Sequence, residues 1–424
     1  MIPVRLRGHQ VFYGWWIVLA SSIMTIVAIA IPTLSMTLFL NPLRNQFGWS
    51  RFAISGAISL RQIEGGITSP IAGWIFDNYG HRIIVPVGLA MAGIGFIALS
   101  RMQTLWQFYL FFAFMAIGST MGGVNIYQAI IVNWFKQKRS LALGLLLTGG
   151  SVAAFLVPVI ALLVDKLGWR ATMFGVGLII LGIGIPMSLL LRRRPQDHGL
   201  QPDGLEPFRP TSLTDQGTST GPSQNDLVVP GLTVAEALVT YSFWCMVIAN
   251  VFNSLSSGMV FLHLAPALEL NGFSTSSAAS VVTIWFALTI PSRLILGWIG
   301  DKWAKKRLAV ACYFLLSLGM FCLAFSTNYL MAMAFALFFG FGHGGIVLLN
   351  WALMADYMGP YRYGTISGLF RILSLVGGIS GPVLAGALAD KYGDYKIAFL
   401  IVAVGLLVVS TPAMAAIRKP VHVN

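Results

Sequence analysis

Four charged side chains, Arg61, Glu64, Arg293 and Arg371, stand in the middle of long uncharged stretches. A charge at the centre of a membrane helix costs about 2.5–3.5 kcal/mol on insertion scales, and it persists where it faces water, a substrate or a partner. Arg61 and Glu64 are three residues apart, which puts them on one helix face and allows an intrahelical ion pair. That pair either satisfies itself or takes part in function. Glu64 is the only acid deep in such a stretch, so it is the first candidate to carry a proton. Arg293 and Arg371 have no acid in their own stretches, and Asp356 lies too near the end of its stretch to reach them. Two unpaired guanidinium groups make a site for an anion, because Arg matches a carboxylate in a bidentate fork. The plainer alternative for Arg293 is snorkelling to a membrane face about two turns away.

Weaker candidates surround these four. Asn250 and Asn253 share a helix face, where they line a cavity or make an interhelical hydrogen bond. His343, in the run Gly340 to Gly345, either titrates near neutral pH or packs as a satisfied His. Clustered glycines, among them Gly118, Gly122, Gly377 and Gly381, permit close helix approach. They imply a bundle and say nothing of substrate.

The elements that position these residues follow from composition. Of 424 residues, 57% are hydrophobic and 10% charged, against about 25% charged in soluble proteins. The net charge of +13 does not mark a nucleic-acid groove, since the Lys and Arg sit in short clusters between apolar runs. Cys245, Cys312 and Cys322 show neither disulfide nor zinc spacing. Twelve stretches, from 12–39 to 396–417, are long enough to span a bilayer. The first is too long, and its start too polar (Arg5, Arg7, His9), to read as a cleaved signal. Residues 192–235, which include Thr218 to Ser223, are too polar to build a core and read as a flexible linker. They divide a six-helix bundle at 1–191 from another at 236–424. With the N-terminus inside, 17 of the 27 Lys and Arg fall on the cytoplasmic side, 7 outside and 3 within spans. The bias places both termini in the cytoplasm of a multi-pass protein in the plasma or inner membrane.

The halves echo each other. Gly73-Trp74-Ile75-Phe76-Asp77 ends the second span, and Gly297-Trp298-Ile299-Gly300-Asp301 ends the eighth, at an offset of 224 residues. Gly80, His81 and Arg82 follow the first copy, and Lys302 follows the second. On these residues the chain resembles the major facilitator superfamily, whose loop signature is a Gly, an Asp four residues later, then a Gly and two basic residues. The resemblance implies an all-α membrane protein of twelve transmembrane helices in two pseudo-symmetric six-helix bundles. It also implies that Asp77, Arg82 and Asp301 latch one end of the bundle, consistent with a carboxylate at a helix N-terminus.

Within that superfamily the chain is similar to the monocarboxylate transporters and the oxalate–formate antiporter. Those carry an Arg in helix 8 four residues before a Gly, as Arg293 and Gly297 stand here. The resemblance gives Arg293 the substrate carboxylate. Arg371 lies one turn before Ser374, the position of the antiporter's helix 11 Lys. Asn125 and Tyr127 match an Asn-x-Tyr of helix 4, so substrate binding is expected from Arg293, Arg371, Asn125, Tyr127 and Arg61, and proton coupling from Glu64 or His343. Two departures weaken proton symport by the animal transporters' route: Thr289 replaces their helix 8 Asp, and their helix 1 Lys is missing from Pro32 to Ser35.

The resulting expectation is a secondary active transporter of a small organic anion, a mono- or dicarboxylate, working by alternating access with protons or a counter-anion. It sits in the lipid bilayer as a monomer and uses no cofactor, metal or nucleic acid. A proton-coupled drug or amphiphile exporter is the alternative, and a transport-inactive sensor a more distant one. No HExxH, GxSxG or P-loop pattern supports an enzyme.

Overall fold

The computed structural model describes residues 5–6, 9–10, 12–29, 36–204 and 231–419. The positions 32–35 and 218–223 discussed above lie outside the described residues. In lipid every backbone polar group must be satisfied within the protein, so long apolar segments become helices. Nine stretches among the described residues are long and apolar enough to cross a membrane. One of them, the 50-residue Arg139–Ser188, holds two helices divided at Gly168, whose φ of 81° and ψ of 160° break the coil. The shorter Tyr13–Ile29 and the more charged Arg51–Tyr79 complete twelve.

The twelve are α1 (Tyr13–Ile29), α2 (Arg51–Tyr79), α3 (His81–Ser100), α4 (Leu105–Met121, continuing as Val124–Trp134), α5 (139–167) and α6 (169–188). After the linker come α7 (Tyr241–Leu270), α8 (Thr275–Lys302), α9 (Lys305–Ala324), α10 (Tyr329–Met358), α11 (Tyr363–Tyr392) and α12 (Lys396–Ala416). The one sheet among the described residues is a two-residue antiparallel pair, Arg5–Leu6 with His9–Gln10.

The offset of 224 residues seen in the loop motif also governs how helices begin. Ser50 caps α2 by accepting from the Ala53 amide, and Ser274 caps α8 from Ser277. Gly48 and Gly272 precede them with φ of 69° and 88°, a region that disfavours any residue with a Cβ. Thr104 and Asn328 cap α4 and α10 at the same offset. In α6 and α12 a π-turn (Ile180–Gly184, Leu406–Ser410) precedes Pro186 and Pro412, whose missing N–H cannot close the ordinary helical bond.

The halves meet along α2 with α11 and α5 with α8. A Cβ on Gly144 of α5 would lie 2.6 Å from the Arg293 carbonyl oxygen, and one on Gly368 of α11 would lie 2.6 Å from that of Ser69. Only glycine permits both crossings. The described residues at both ends of the linker make hydrogen bonds to the bundle. Trp134 Nε1 donates to the Arg192 carbonyl (2.7 Å), and Asp203 accepts from the amides of Lys136, Gln137 and Lys138. Leu232 N donates to Met358 O (2.8 Å).

The tight crossings predict that Gly144→Leu and Gly368→Leu force the halves apart at this end. A single cysteine at Ser140, which is buried, should react with a maleimide at least about fivefold faster in Gly144→Leu than in the parent. An unchanged rate would show that this approach is not what keeps the end shut.

Candidate functional site

The loop motif does its work at helix starts. The first turn of any helix has amide groups with no internal partner, and they favour a carboxylate. Asp77 accepts from the amides of Gly364 (3.1 Å) and Thr365 (2.8 Å) at the start of α11, and from the Thr365 hydroxyl (2.7 Å). Asp301 accepts from the amides of Ser140 (2.7 Å) and Leu141 (3.0 Å) at the start of α5. Donors and acceptors are related by the same 224-residue offset. Each carboxylate belongs to one half and clasps a helix of the other.

Further contacts reinforce this end. Asp356 bridges Arg139 and Lys305, each at 2.6 Å, so it holds α5 against α10 and α9 and is not a partner for the buried arginines. Arg362 donates to Asn78 (2.7 Å). Arg82, expected in the latch, is exposed instead, and Arg193 from the start of the linker takes its place by donating to the Asp77 carbonyl oxygen. Arg82 is the second residue of α3 and lies off its buried face, which runs through His81, Ile84, Val85 and Gly88.

Deeper in, the expectation of two unpaired arginines sharing one site is corrected. Arg293 Nη1 donates across the interface to Leu147 O (2.5 Å) and Ser151 Oγ (2.7 Å). Thr289 gives its hydroxyl proton to Phe286 O (2.7 Å), so Ser151 must be the donor in its 2.8 Å contact with Thr289. The chain from Arg293 through Ser151 and Thr289 to a carbonyl therefore contains no titratable acid. Arg293 Nε has no hydrogen-bond partner, and both described bonds use Nη1, leaving Nη2 for another acceptor. The charge that Arg293 influences is His343.

Arg371 stands in a different neighbourhood. Its Nη1 donates to Asn125 Oδ1 (2.8 Å), and Asn125 in turn donates to Ser69 (3.3 Å). Its electrostatic partners are Glu64 and Arg61. Glu64 was expected to pair with Arg61 along α2. The two do act on each other electrostatically, and Glu64 Oε2 is also 3.4 Å from Thr120 Oγ1 on α4, while its Oε1 is buried without a hydrogen bond. The acid lies between two cations, and the cluster joins α2, α4 and α11.

A cavity of about 230 Å³ is lined by Asn250, Asn253, Ser257, His343, Asn350 and Trp351 among others, and Arg293 is not one of its lining residues. Asn250 Oδ1 accepts from Asn253 Nδ2 (3.2 Å) and Asn350 Nδ2 (2.9 Å), while its own amide donates to Ser374 (2.8 Å). His343 Nδ1 lies 3.2 Å from Ser257 Oγ, and its ring stacks on Phe339. Tyr127 does not reach a cavity: it is fully buried, with its hydroxyl given to Gly122 O. The break in α4 at Gly122–Gly123 frees that carbonyl, and Tyr127 satisfies it from within the first half.

Sequence reasoning missed Asn350, Ser151, Arg139 and Arg193. Asn350 was the one with a signal, as a lone amide within the apolar run of α10. Among the described residues, every hydrogen bond between the halves lies from the depth of Arg293 and Arg371 towards the α2–α3 loop. The bundle is shut at that end.

A family model described as Major Facilitator Superfamily matches residues 15–378 and 246–424. An MFS-type transporter of Gibberella moniliformis (strain M3125 / FGSC 7600) is 27% identical over 338 residues, covering 77% of this chain and 73% of its own length. Monocarboxylate transporter 2 of Rattus norvegicus is 27% identical over 411 residues, covering 94% of this chain and 81% of its own. Among solved structures, the E. coli fucose:proton symporter FucP aligns with a TM-score of 0.70 at 16% identity, covering 96% of this chain and 99% of that one. That last likeness speaks to the fold alone.

Each helix cap is worth about 1 kcal/mol, so Asp77→Ala and Asp301→Ala should each weaken the shut state roughly fivefold, and the double variant roughly thirtyfold. Spin labels on the α2–α3 and α10–α11 loops would read this as a growing long-distance population in double electron–electron resonance. Distributions that match the parent would exclude the caps as the lock.

Proposed function

The chain belongs to the Major Facilitator Superfamily and is a transporter, and from that premise we propose that it carries a small organic anion, a carboxylate, by alternating access. The observation that supports this most is Arg293. It is a guanidinium deep in the bundle with one amino group anchored on α5, the other without a partner among the described residues, and His343, which lines the cavity, within its electrostatic reach. Among the described residues no acid lines that cavity. One uncompensated cation matches one carboxylate, and a bound carboxylate removes the cost of leaving the charge unpaired. Arg371 shares Glu64 with Arg61 and donates to Asn125 at the interface. Of mono- and dicarboxylates, a monocarboxylate is in keeping with the names of the relatives.

Binding would act on the interface through the same side chain. A carboxylate at Arg293 would take Nε and Nη2, the donors that the bonds to Leu147 O and Ser151 leave free, at the depth where the halves meet. The chain through Thr289 offers no proton carrier, which leaves Glu64, with a buried unpartnered oxygen and Arg371 as a neighbour, as the coupling acid. A cationic drug is disfavoured as cargo because Arg61 and Arg371 flank that acid. By the excess of Lys and Arg, the shut end is the cytoplasmic one, so the state described is outward-facing.

Uptake of labelled lactate and pyruvate into proteoliposomes, with and without an inward proton gradient, tests the reading. Arg293→Ala should lose at least about 100-fold in uptake, since an unpaired carboxylate in the site costs some 3 kcal/mol. Glu64→Gln should keep exchange but lose its response to the gradient. Normal uptake by Arg293→Ala would reject the anion site, and a retained gradient response in Glu64→Gln would reject Glu64 as proton carrier.

A further inference from the structure

We propose that the first half carries a site for one anionic phospholipid, its headgroup held by Arg82 and Arg192 and one acyl chain laid in a crevice between α1 and α6. Two independent observations meet here, and the first is the crevice. Ile23 of α1 and Ile183 of α6, both exposed, stand at its edges, and Met24, Val27, Leu89 and Met187 line it. Ser119, a polar side chain in the lining, gives its hydroxyl proton to Met115 O (2.9 Å). Among the described residues no charged group lines the crevice. Within a bilayer such a space meets hydrocarbon, and a chain that fills it restores the dispersion contacts that a void forfeits.

The second observation is the charge at its mouth. Five residues after Met187 the chain reaches Arg192, whose guanidinium lies 4.2 Å from the Tyr13 ring at the start of α1. Tyr13 closes the same corner by donating to Leu190 O (2.9 Å). Arg82 stands seven residues before Leu89, two turns back on one face of α3. His81 Nε2 is 2.7 Å from Leu191 O, so the immediate neighbours of both arginines are in contact. Among the described residues neither guanidinium donates a hydrogen bond or forms an ion pair, and Arg82 is exposed. Both bear on His198, and Asp197, itself exposed, is the acid that faces them. Two guanidinium forks with donors to spare match a phosphate. A soluble anion would use the charge and leave the crevice empty, whereas a phospholipid uses both. This end also carries the excess of Lys and Arg, the sign that draws anionic headgroups. Arg193, the next residue, donates to the Asp77 carbonyl oxygen, so the lipid sits beside the segment that backs the clasp. Nothing in the site depends on what is carried.

Native mass spectrometry tests this on the full chain, released from detergent micelles doped with phosphatidylglycerol or with phosphatidylcholine of the same acyl chains. One phosphatidylglycerol should be retained about thirtyfold more tightly than phosphatidylcholine, since each guanidinium near an anionic headgroup is worth roughly fivefold. Arg82→Gln and Arg192→Gln should each remove roughly fivefold of that preference. Arg307→Gln, which neutralises an exposed cation at the start of α9, should remove none. A Cβ on Gly184 would meet Leu89 at 3.5 Å, an ordinary contact, so Gly184→Leu fills the crevice without strain. It should weaken retention of phosphatidylglycerol about tenfold, the worth of two displaced methylenes. Equal retention of the two lipids by the parent chain overturns the headgroup site, as does a preference lost equally in Arg307→Gln. Unchanged retention in Gly184→Leu overturns the acyl seat. Glycerol 3-phosphate displacing phosphatidylglycerol at equal concentration assigns the arginines to a soluble anion and overturns the lipid reading.

Discussion

Two carboxylates at two helix starts hold the halves of this bundle in register. Asp77 satisfies the first amides of α11 and Asp301 those of α5, groups that no intrahelical bond can reach. The clasp has a geometric consequence further in. Arg293 lies eight residues before Asp301, and Arg371 six after Thr365, about 12 Å and 9 Å along their helices. Once the helix starts are clasped, those rises set the depth at which both arginines meet the first half. Glycines at 144 and 368 then let the backbones come close enough for the contacts to form.

The scaffold is symmetric and its charges are not. Under the 224-residue offset Arg293 corresponds to Ser69, and Arg371 to Leu147. Arg293 donates to the carbonyl of Leu147, the counterpart of Arg371; Arg371 donates to Asn125, which holds Ser69, the counterpart of Arg293. Two equivalent crossings thus carry one arginine each, both from the second half. An unbalanced cation at one crossing and an Arg–Glu–Arg cluster at the other give the interior a direction that a pure repeat lacks.

Both arginines divide their donors between the interface and the space around it, so occupancy of one bears on the other. Water is excluded where the helices cross, and electrostatic terms are stronger there than at a surface. The ion pairs of Asp356 with Arg139 and Lys305 are also largely shielded, whereas the Arg371 bond to Asn125 is exposed. The polar contacts that hold the shut state are therefore the capped helix starts, the Asp356 pairs and the Arg293 bonds.

The sequence by itself determined the number of spans, the division into halves, the offset and the identity of the buried charges. These follow from the hydropathy of long runs and the energetic cost of a charge in lipid, both local properties of the chain. Asp77 and Asp301 were legible because a duplicated motif carries its own control. Partners were not legible, since a hydrogen bond between residues more than a hundred positions apart leaves no spacing to read. Tertiary structure alone decided that Arg371 belongs with Glu64 and Asn125, that Arg193 stands where Arg82 was expected, and that Tyr127 is spent on a broken helix. It also decided which way three asparagines face, because that depends on one serine whose proton is already committed to its own helix.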